Sequence, residues 1–142
     1  MYTYKAEVVR VIDGDSVVLN IDLGFGTWLN KQSVRLAGVD APESRTKDLV
    51  EKQFGNLSKQ RVISLLPVGS SVLIRTYRNK GGKYGRMLVE IITEEELNIN
   101  DTLIEERLAV YYAGQNKDTV TQLHLANRKY LIKAGKIVLD EN

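Results

Sequence analysis

Residues 8–23, VVRVIDGDSVVLNIDL, give the clearest indication of the fold. Asn20 and Asp22 alternate with the apolar residues Val17, Leu19, Ile21 and Leu23, which is the period-two pattern of a strand with one buried face. The valine- and isoleucine-rich segment 8–12 predicts an earlier strand, and Asp13-Gly14 is typical of the turn between two paired strands. The stretch therefore predicts a β-hairpin.

Three further segments have strand-like composition and are bounded by glycine, proline or polar clusters, namely 32–39, 71–77 and 86–92. They bring the number of predicted strands to five. A single five-stranded sheet with helices packed on it closes most economically as an OB-type barrel. We therefore expect a mainly β fold with helices (α+β), organised as one domain over residues 1–142.

Three segments carry helical periodicity. Residues 47–65 have a broadly apolar face that Gly55 and Arg61 weaken, and Asn100 is predicted as the N-cap of a short second helix. The third helix is predicted over 118–134 and ends where Gly135 supplies a C′ glycine. Its predicted apolar stripe consists of Val120, Leu123, Ala126, Tyr130, Leu131 and Ala134.

Composition excludes several classes of protein. The chain has 142 residues with 20 basic and 18 acidic side chains, one His and no Cys. The absence of Cys excludes disulfides, iron–sulfur clusters and thiol catalysis, and with a single His it argues against a zinc site. No apolar run approaches the roughly 20 residues that span a bilayer, so we expect no membrane segment. The predicted location is cytoplasmic if the chain is complete as given, or secreted if a signal peptide was removed.

The charges are unevenly distributed along the chain. Between residues 75 and 86 there are five cations and no acid, whereas residues 90–106 contain seven acids and no cation. Such a pattern creates a local positive field that could hold an anion. It is equally typical of solvated surface, which is the interpretation that the pattern favours when taken alone.

Three short segments carry groups that can do chemistry, and each has an ordinary structural explanation. Residues 13–16 read as a hairpin turn, 35–43 as a strand that ends in two acids around an Ala-Pro step, and 83–86 as a glycine-rich basic loop. Pro42 biases Ala41 toward an extended backbone, which would leave the Ala41 carbonyl free to point into a site.

Taken together, the three segments supply the groups needed for metal-assisted phosphodiester hydrolysis. Asp15, Asp40 and the Ala41 carbonyl are oxygen ligands suited to Ca²⁺ or Mg²⁺. Two arginines could each present a planar fork to phosphate oxygens, and a nearby glutamate could position or deprotonate a water. These three groups are Arg35, Arg86 and Glu43.

The same segments, in this order and spacing, resemble the staphylococcal nuclease (thermonuclease) family. The resemblance rests on Val11 to Val17, Arg35 to Glu43, and Lys83-Tyr84-Gly85-Arg86. It implies a five-stranded OB-fold barrel with three packed α-helices and a Ca²⁺-dependent phosphodiesterase acting on DNA and RNA. It also implies in-line attack by water and products that end in 3′-phosphate.

The resemblance assigns roles to individual positions. It implies a metal site of Asp15, Asp40 and Ala41, a catalytic set of Arg35, Glu43 and Arg86, and nucleotide contacts from Lys83, Tyr84 and Tyr112. Whether Glu43 is a general base or chiefly organises the water is open, as is the choice between Tyr111 and Tyr112 for base stacking.

The chain departs from the family pattern at several positions. Gly82 stands where an Asp is common, and Val138 stands where a Trp is usual. Extra residues between Leu23 and Lys31 carry Trp28, which either stacks on a base or packs against the protein. We expect His124, at the edge of the last helix's stripe, to have a surface or half-buried structural role without partners in the motifs.

Three functions are compatible with a barrel of this kind. An active nuclease, acting as a monomer on preferentially single-stranded DNA or RNA, explains why all the site residues are present together. A non-catalytic nucleic-acid-binding module would not need them, and fold alone does not separate the two. A carbohydrate- or protein-binding barrel explains neither the oxygen ligands nor the arginines.

Overall fold

The computed structural model describes residues 2–77 and 86–140. Within these residues the strands are β1 (Tyr2–Asp13), β2 (Ser16–Gly24), β3 (Thr27–Leu36), β4 (Val39–Asp40), β5 (Ser71–Tyr77), β6 (Met87–Thr93) and β7 (Val110–Tyr111). The helices are α1 (Leu49–Leu65), α2 (Ile99–Glu105) and α3 (Lys117–Lys133). None of these helices is both long enough and apolar enough to cross a membrane.

Five of the strands close into a barrel in the order β1-β2-β3-β6-β5. Neighbouring strands are antiparallel except β3 and β6, which are parallel. The alternating residues of β2 account for much of the interior, since Val17, Leu19 and Ile21 are almost completely buried. The predicted α+β fold, a five-stranded OB-fold barrel with three helices, is confirmed.

One predicted strand is divided in the structure. The segment 32–39 was expected to be continuous, but β3 ends at Leu36 and Gly38 adopts a positive φ of 73°. The chain turns there, leaves the barrel and pairs with β7, Val39 opposite Tyr111 and Asp40 opposite Val110. This short two-stranded sheet carries Asp40 away from the barrel wall, toward α3.

Helix α2 begins two residues earlier than predicted. Its N-cap is Asn98, whose side chain accepts a hydrogen bond from the Asp101 amide at 3.1 Å. Asn100, the predicted N-cap, lies inside the helix and is buried. Its side chain donates to the Ala37 and Val89 carbonyls at 2.9 and 3.0 Å, so it holds the turn after β3 against β6.

The predicted apolar stripe of α3 is wrong. Leu123 and Tyr130 are 40% and 49% exposed, and of the stripe residues only Leu131 is fully buried. The packed face runs through Val120, His124 and Leu131. The helix is therefore rotated relative to the prediction, and His124 faces the rest of the molecule.

Candidate active site

Arg35, near the end of β3, lies between two carboxylates. Its Nη2 donates to Asp40 Oδ1 at 3.2 Å and lies 3.6 Å from Asp15 Oδ2. The same nitrogen is 3.4 Å from the Val39 carbonyl, which it contacts as a donor. Asp15 follows the β1–β2 turn and Asp40 ends β4, so one guanidinium joins acids from two distant segments.

Asp15 is the more deeply buried of the two acids, at 7% exposure. Its Oδ2 accepts a hydrogen bond from the Ala41 amide at 3.0 Å, which holds Ala41 beside the carboxylate. Burial raises the pKa of Asp15, an effect that Arg35 and the Ala41 amide only partly offset. Because the ionised form is costly here, a cation at this position would stabilise it.

Gly14 permits the close packing around Ala41. A Cβ at Gly14 would lie 2.9 Å from the Cβ atoms of both Ala41 and Ser58. Such contacts are closer than carbon atoms tolerate, so a larger residue would push the segment that carries Ala41 away from Asp15. The glycine of the turn is therefore needed for the site as well as for the hairpin.

Arg86 reaches the same carboxylate through a hydroxyl group. Its Nη1 donates to Ser16 Oγ at 3.1 Å, and Ser16 Oγ donates to Asp15 Oδ1 at 3.2 Å. Ser16 was not among the predicted site residues, although it adjoins Asp15 in sequence. The structure thus places Arg35 3.6 Å from one oxygen of Asp15 and links Arg86 to the other oxygen through Ser16.

Glu43 lies on the exposed side of this group, in the loop before α1. Its backbone amide donates to Glu51 Oε2 at 3.2 Å. Partial burial raises the pKa of Glu43, and repulsion from Asp13, Asp15 and other nearby carboxylates adds to the effect. Several negatively charged groups therefore lie close to the Glu43 side chain.

Helix α1 fixes the backbone of Glu43 through Gly55. A Cβ at Gly55 would lie 2.2 Å from the Glu43 carbonyl oxygen and 2.6 Å from the Ser44 nitrogen. The sequence pattern had suggested that Gly55 merely weakens the apolar face of this helix. Its buried position shows that the helix approaches the loop so closely that only glycine fits.

We expect Gly55→Ala to lower the free energy of unfolding by about 1–3 kcal/mol, the usual cost of overpacking a close contact. In an unobstructed helix interior the same change would raise stability by about 1 kcal/mol, so the sign separates the two cases. Urea unfolding measures the effect. Asn56→Ala, at an exposed position of the same helix, is the matched control; a Gly55→Ala protein as stable as the parent would contradict the prediction.

His124 is a neighbour of the site that the sequence interpretation missed. It is half-buried as expected, but its Nε2 lies 2.7 Å from Asp40 Oδ2, so the expectation that it lacks partners in the motifs is wrong. Burial raises the pKa of Asp40, but His124 and Arg35 more than offset this and hold it below its ordinary value. The sequence contains a signal for the inward position of His124, because Val120, His124 and Leu131 are spaced so that they share one face of a helix.

The remaining predicted positions have different outcomes. Tyr111 and Tyr112 are both exposed beside the site, and the Tyr112 amide donates to the Gly38 carbonyl at 2.8 Å. Lys83 and Tyr84 lie outside the described residues. Trp28 is 40% exposed. It precedes Arg35 by seven residues on β3, and seven residues of extended strand span roughly 23 Å.

The donor set fits a hard divalent cation. The carboxylates of Asp15 and Asp40 both lie close to Arg35. Each can ionise and offers oxygen, the ligand atom that Ca²⁺ prefers. In the part of the chain that the structure describes, no group of three or more His, Cys, Asp or Glu side chains is arranged for a metal ion. A site here would therefore have to include a backbone carbonyl or water beside the two acids.

Comparison with known proteins identifies the family. The sequence profile described as "Staphylococcal nuclease homologue" matches residues 33–134. The chain belongs to the staphylococcal nuclease family. Within this family match lie Arg35, Asp40, Glu43, Arg86 and His124, whereas Asp15 precedes it.

Three similar proteins carry nuclease names. The chain is 28% identical over 114 residues to "Endonuclease YhcR" of Bacillus subtilis (strain 168), covering 77% of this chain and 9% of that protein. It is 28% identical over 113 residues to an "Uncharacterized endonuclease" of Escherichia coli O157:H7, covering 80% and 64%. It is 29% identical over 107 residues to the "Thermonuclease" of Staphylococcus hyicus, covering 75% and 57%. The chain thus spans less than two thirds of the length of each of these three proteins.

Proposed function

We propose that this protein is a Ca²⁺-dependent phosphodiesterase that hydrolyses DNA and RNA, with single-stranded substrate preferred. The observation that carries the proposal is the pairing of Asp15 and Asp40 on one arginine, with Arg86 linked to Asp15 through Ser16. The nuclease names of the relatives support it. We propose further that residues 1–142 form one domain that acts as a monomer.

The proposed metal ligands are Asp15, Asp40 and the Ala41 carbonyl. When bound, Ca²⁺ would polarise a phosphoryl oxygen and offset the charge that develops during hydrolysis. The Ala41 amide, by donating to Asp15, keeps the two ends of this ligand set together. Ca²⁺ is favoured over Mg²⁺ because it accepts flexible coordination by several oxygens, whereas Mg²⁺ demands near-ideal octahedral geometry.

The proposed catalytic residues bind the phosphate and activate the water. Arg35 and Arg86 offer planar guanidinium forks that can donate paired hydrogen bonds to non-bridging phosphate oxygens. Glu43, a carboxylate on the exposed side of the acid cluster, holds or deprotonates the attacking water. Attack in line with the 5′ oxygen would leave 3′-phosphate ends.

Substrate contacts are proposed for Lys83, Tyr84 and Tyr112. An exposed aromatic such as Tyr112 gives a base a surface on which to stack, and stacking does not require a particular sequence. Because the face of a base is accessible only when strands separate, we propose that single strands are cut faster than stable duplex. Tyr111, which is more exposed still at 64%, is the alternative stacking residue.

We expect hydrolysis of single-stranded DNA and RNA to require Ca²⁺ and to stop in excess EDTA. Without the metal, the site has carboxylates and arginines but no Lewis acid to polarise the phosphate. The measurement follows product formation with Ca²⁺, Mg²⁺ or chelator and identifies the product ends. A GC-rich hairpin of equal length tests the strand preference. Full activity in EDTA would contradict the metal dependence, and equal rates on hairpin and single strand would contradict the preference.

A non-catalytic nucleic-acid-binding module is the competing function. It predicts salt-sensitive binding of single strands, because phosphate contacts release counterions, but no product under any metal condition. Binding without cleavage in the same experiment would select it. The presence of both acids and both arginines in one cluster favours catalysis, since binding alone requires positive charge and not carboxylates.

A further inference from the structure

The hydrogen bonds of Asp40 are unequal. Arg35 Nη2 approaches Oδ1 at 3.2 Å but is shared with the Val39 carbonyl at 3.4 Å and with Asp15 at 3.6 Å. His124 Nε2 approaches the other oxygen, Oδ2, at 2.7 Å. The shorter contact, directed at a single acceptor, comes from His124.

The surroundings of His124 restrict its ring. Its side chain is 15% exposed, and it borders a small gap lined by Pro42, Phe54, Leu108 and Leu131 among others. These neighbours belong to the loop after β4, to α1, to the segment after α2 and to α3 itself. A ring packed at the meeting point of four segments has little freedom to rotate away from Asp40.

The chemistry of the pair fixes the direction of the bond. An ionised carboxylate can only accept hydrogen bonds, so His124 Nε2 must carry the proton and donate. This holds for the neutral imidazole with its proton on Nε2 as well as for the charged ring. The contact therefore does not depend on a change in the charge of His124.

We propose that His124 is a positioning residue, which donates from Nε2 to Asp40 Oδ2 and so fixes the orientation of the Asp40 carboxylate for the metal. The inference rests on the proposed function, in which Asp40 is a metal ligand. Metal-binding carboxylates commonly depend on such outer hydrogen bonds, and loss of one typically weakens metal binding about 10–100-fold. His124 thereby couples α3 to a site otherwise built from the barrel and its loops.

The test uses the full chain and two amide substitutions of different length. In His124→Gln the amide nitrogen can occupy the position of Nε2, whereas in His124→Asn the amide is one methylene shorter and stops near the position of Nδ1. We expect His124→Asn to weaken Ca²⁺ binding by about 10–100-fold and His124→Gln to remain within a few-fold of the parent. Calorimetric titration with CaCl₂, without nucleic acid, measures both.

Two controls separate positioning from packing. Gln122→Asn shortens an amide side chain by one methylene at an exposed position of α3, which is the difference between the two His124 variants. This control is expected to bind Ca²⁺ like the parent. Urea unfolding of every variant reports whether the helix has loosened. If His124 only anchors α3, the unfolding midpoint falls in His124→Asn while Ca²⁺ affinity is unchanged.

The outcomes are distinguishable from a failure of the proposed function. A parent chain that binds no Ca²⁺ would overturn the proposed metal dependence and this inference with it. A parent that binds Ca²⁺, together with a His124→Asn variant of equal affinity, would overturn only the role of His124. Equal weakening in His124→Asn and His124→Gln would also overturn it, because the imidazole ring rather than its hydrogen bond would then matter.

Discussion

Asp40→Asn is expected to abolish measurable hydrolysis and to weaken Ca²⁺ binding by more than the about 10–100-fold cost of losing an outer hydrogen bond. Asparagine keeps the size of the side chain but removes the negative charge and one of the two carboxylates that converge on Arg35. A neutral amide is a poor substitute because Ca²⁺ affinity depends on the number of charged oxygen ligands.

The fold should survive this change. Asparagine Oδ1 can still accept from Arg35, and the amide group can donate to the unprotonated ring nitrogen of His124 after the imidazole changes tautomer. Circular dichroism and urea unfolding check that the protein is folded, while CaCl₂ titration and product formation measure the site. Asp22→Asn is the matched control, since Asp22 accepts from the Gly24 amide at 2.8 Å in the distant β2–β3 hairpin. A folded Asp40→Asn protein that cuts at the parent rate would contradict the metal assignment.

The barrel was predictable because its residues obey simple patterns. The interior of β2 is filled by alternating apolar side chains, and hydropathy detects alternation directly. The Asp13-Gly14 turn was equally visible, because β1 and β2 are adjacent in the chain and pair from Asp13 and Ser16 onward. Local sequence therefore determines the part of the fold that holds Asp15.

The incorrect predictions for α2 and α3 concern polar side chains that stabilise the fold. On α3 the packed face includes His124, which contacts Asp40, and Asn127, which donates to the Ala109 carbonyl at 3.2 Å. A stripe drawn from hydrophobic residues alone excludes such positions. The N-cap was misassigned to Asn100 for the same reason, since the buried side chain of Asn100 satisfies carbonyl groups of β6 and of the turn after β3.

The candidate site was predictable as a set of residues but not as an arrangement. Two of the three motifs contain Asp15, Arg35 and Asp40, yet only the fold shows that one guanidinium nitrogen contacts both acids. The links through Ser16 and His124 join residues 70 and 84 positions apart. No local pattern records contacts at such separations, because they depend on how the elements pack.

Arg86 contacts Ser16 through its guanidinium group, whose planar shape lysine cannot reproduce. Arg86→Lys should lower kcat by about 10²–10³, the usual cost of one lost transition-state donor, although the charge is retained. The guanidinium of Arg86 donates to Ser16 from Nη1, and its planar fork fixes the position of the second terminal nitrogen relative to the first. An ammonium group on a flexible stem offers no such paired geometry for two phosphate oxygens.

The loss should fall on kcat more than on KM, because the proposed contact strengthens as negative charge develops on the phosphate. Arg75→Lys is the matched control: Arg75 is 49% exposed on β5 and lies 3.8 Å from Glu90, in an exposed ion pair of the kind that contributes at most about 1 kcal/mol. If Arg86 were only a surface cation of the same kind, both substitutions would leave kcat near the parent value. A folded Arg86→Lys protein within a few-fold of the parent rate would therefore remove Arg86 from the catalytic set. A loss of kcat in Arg86→Lys but not in Arg75→Lys would mean that the geometry of the donor matters as well as its charge.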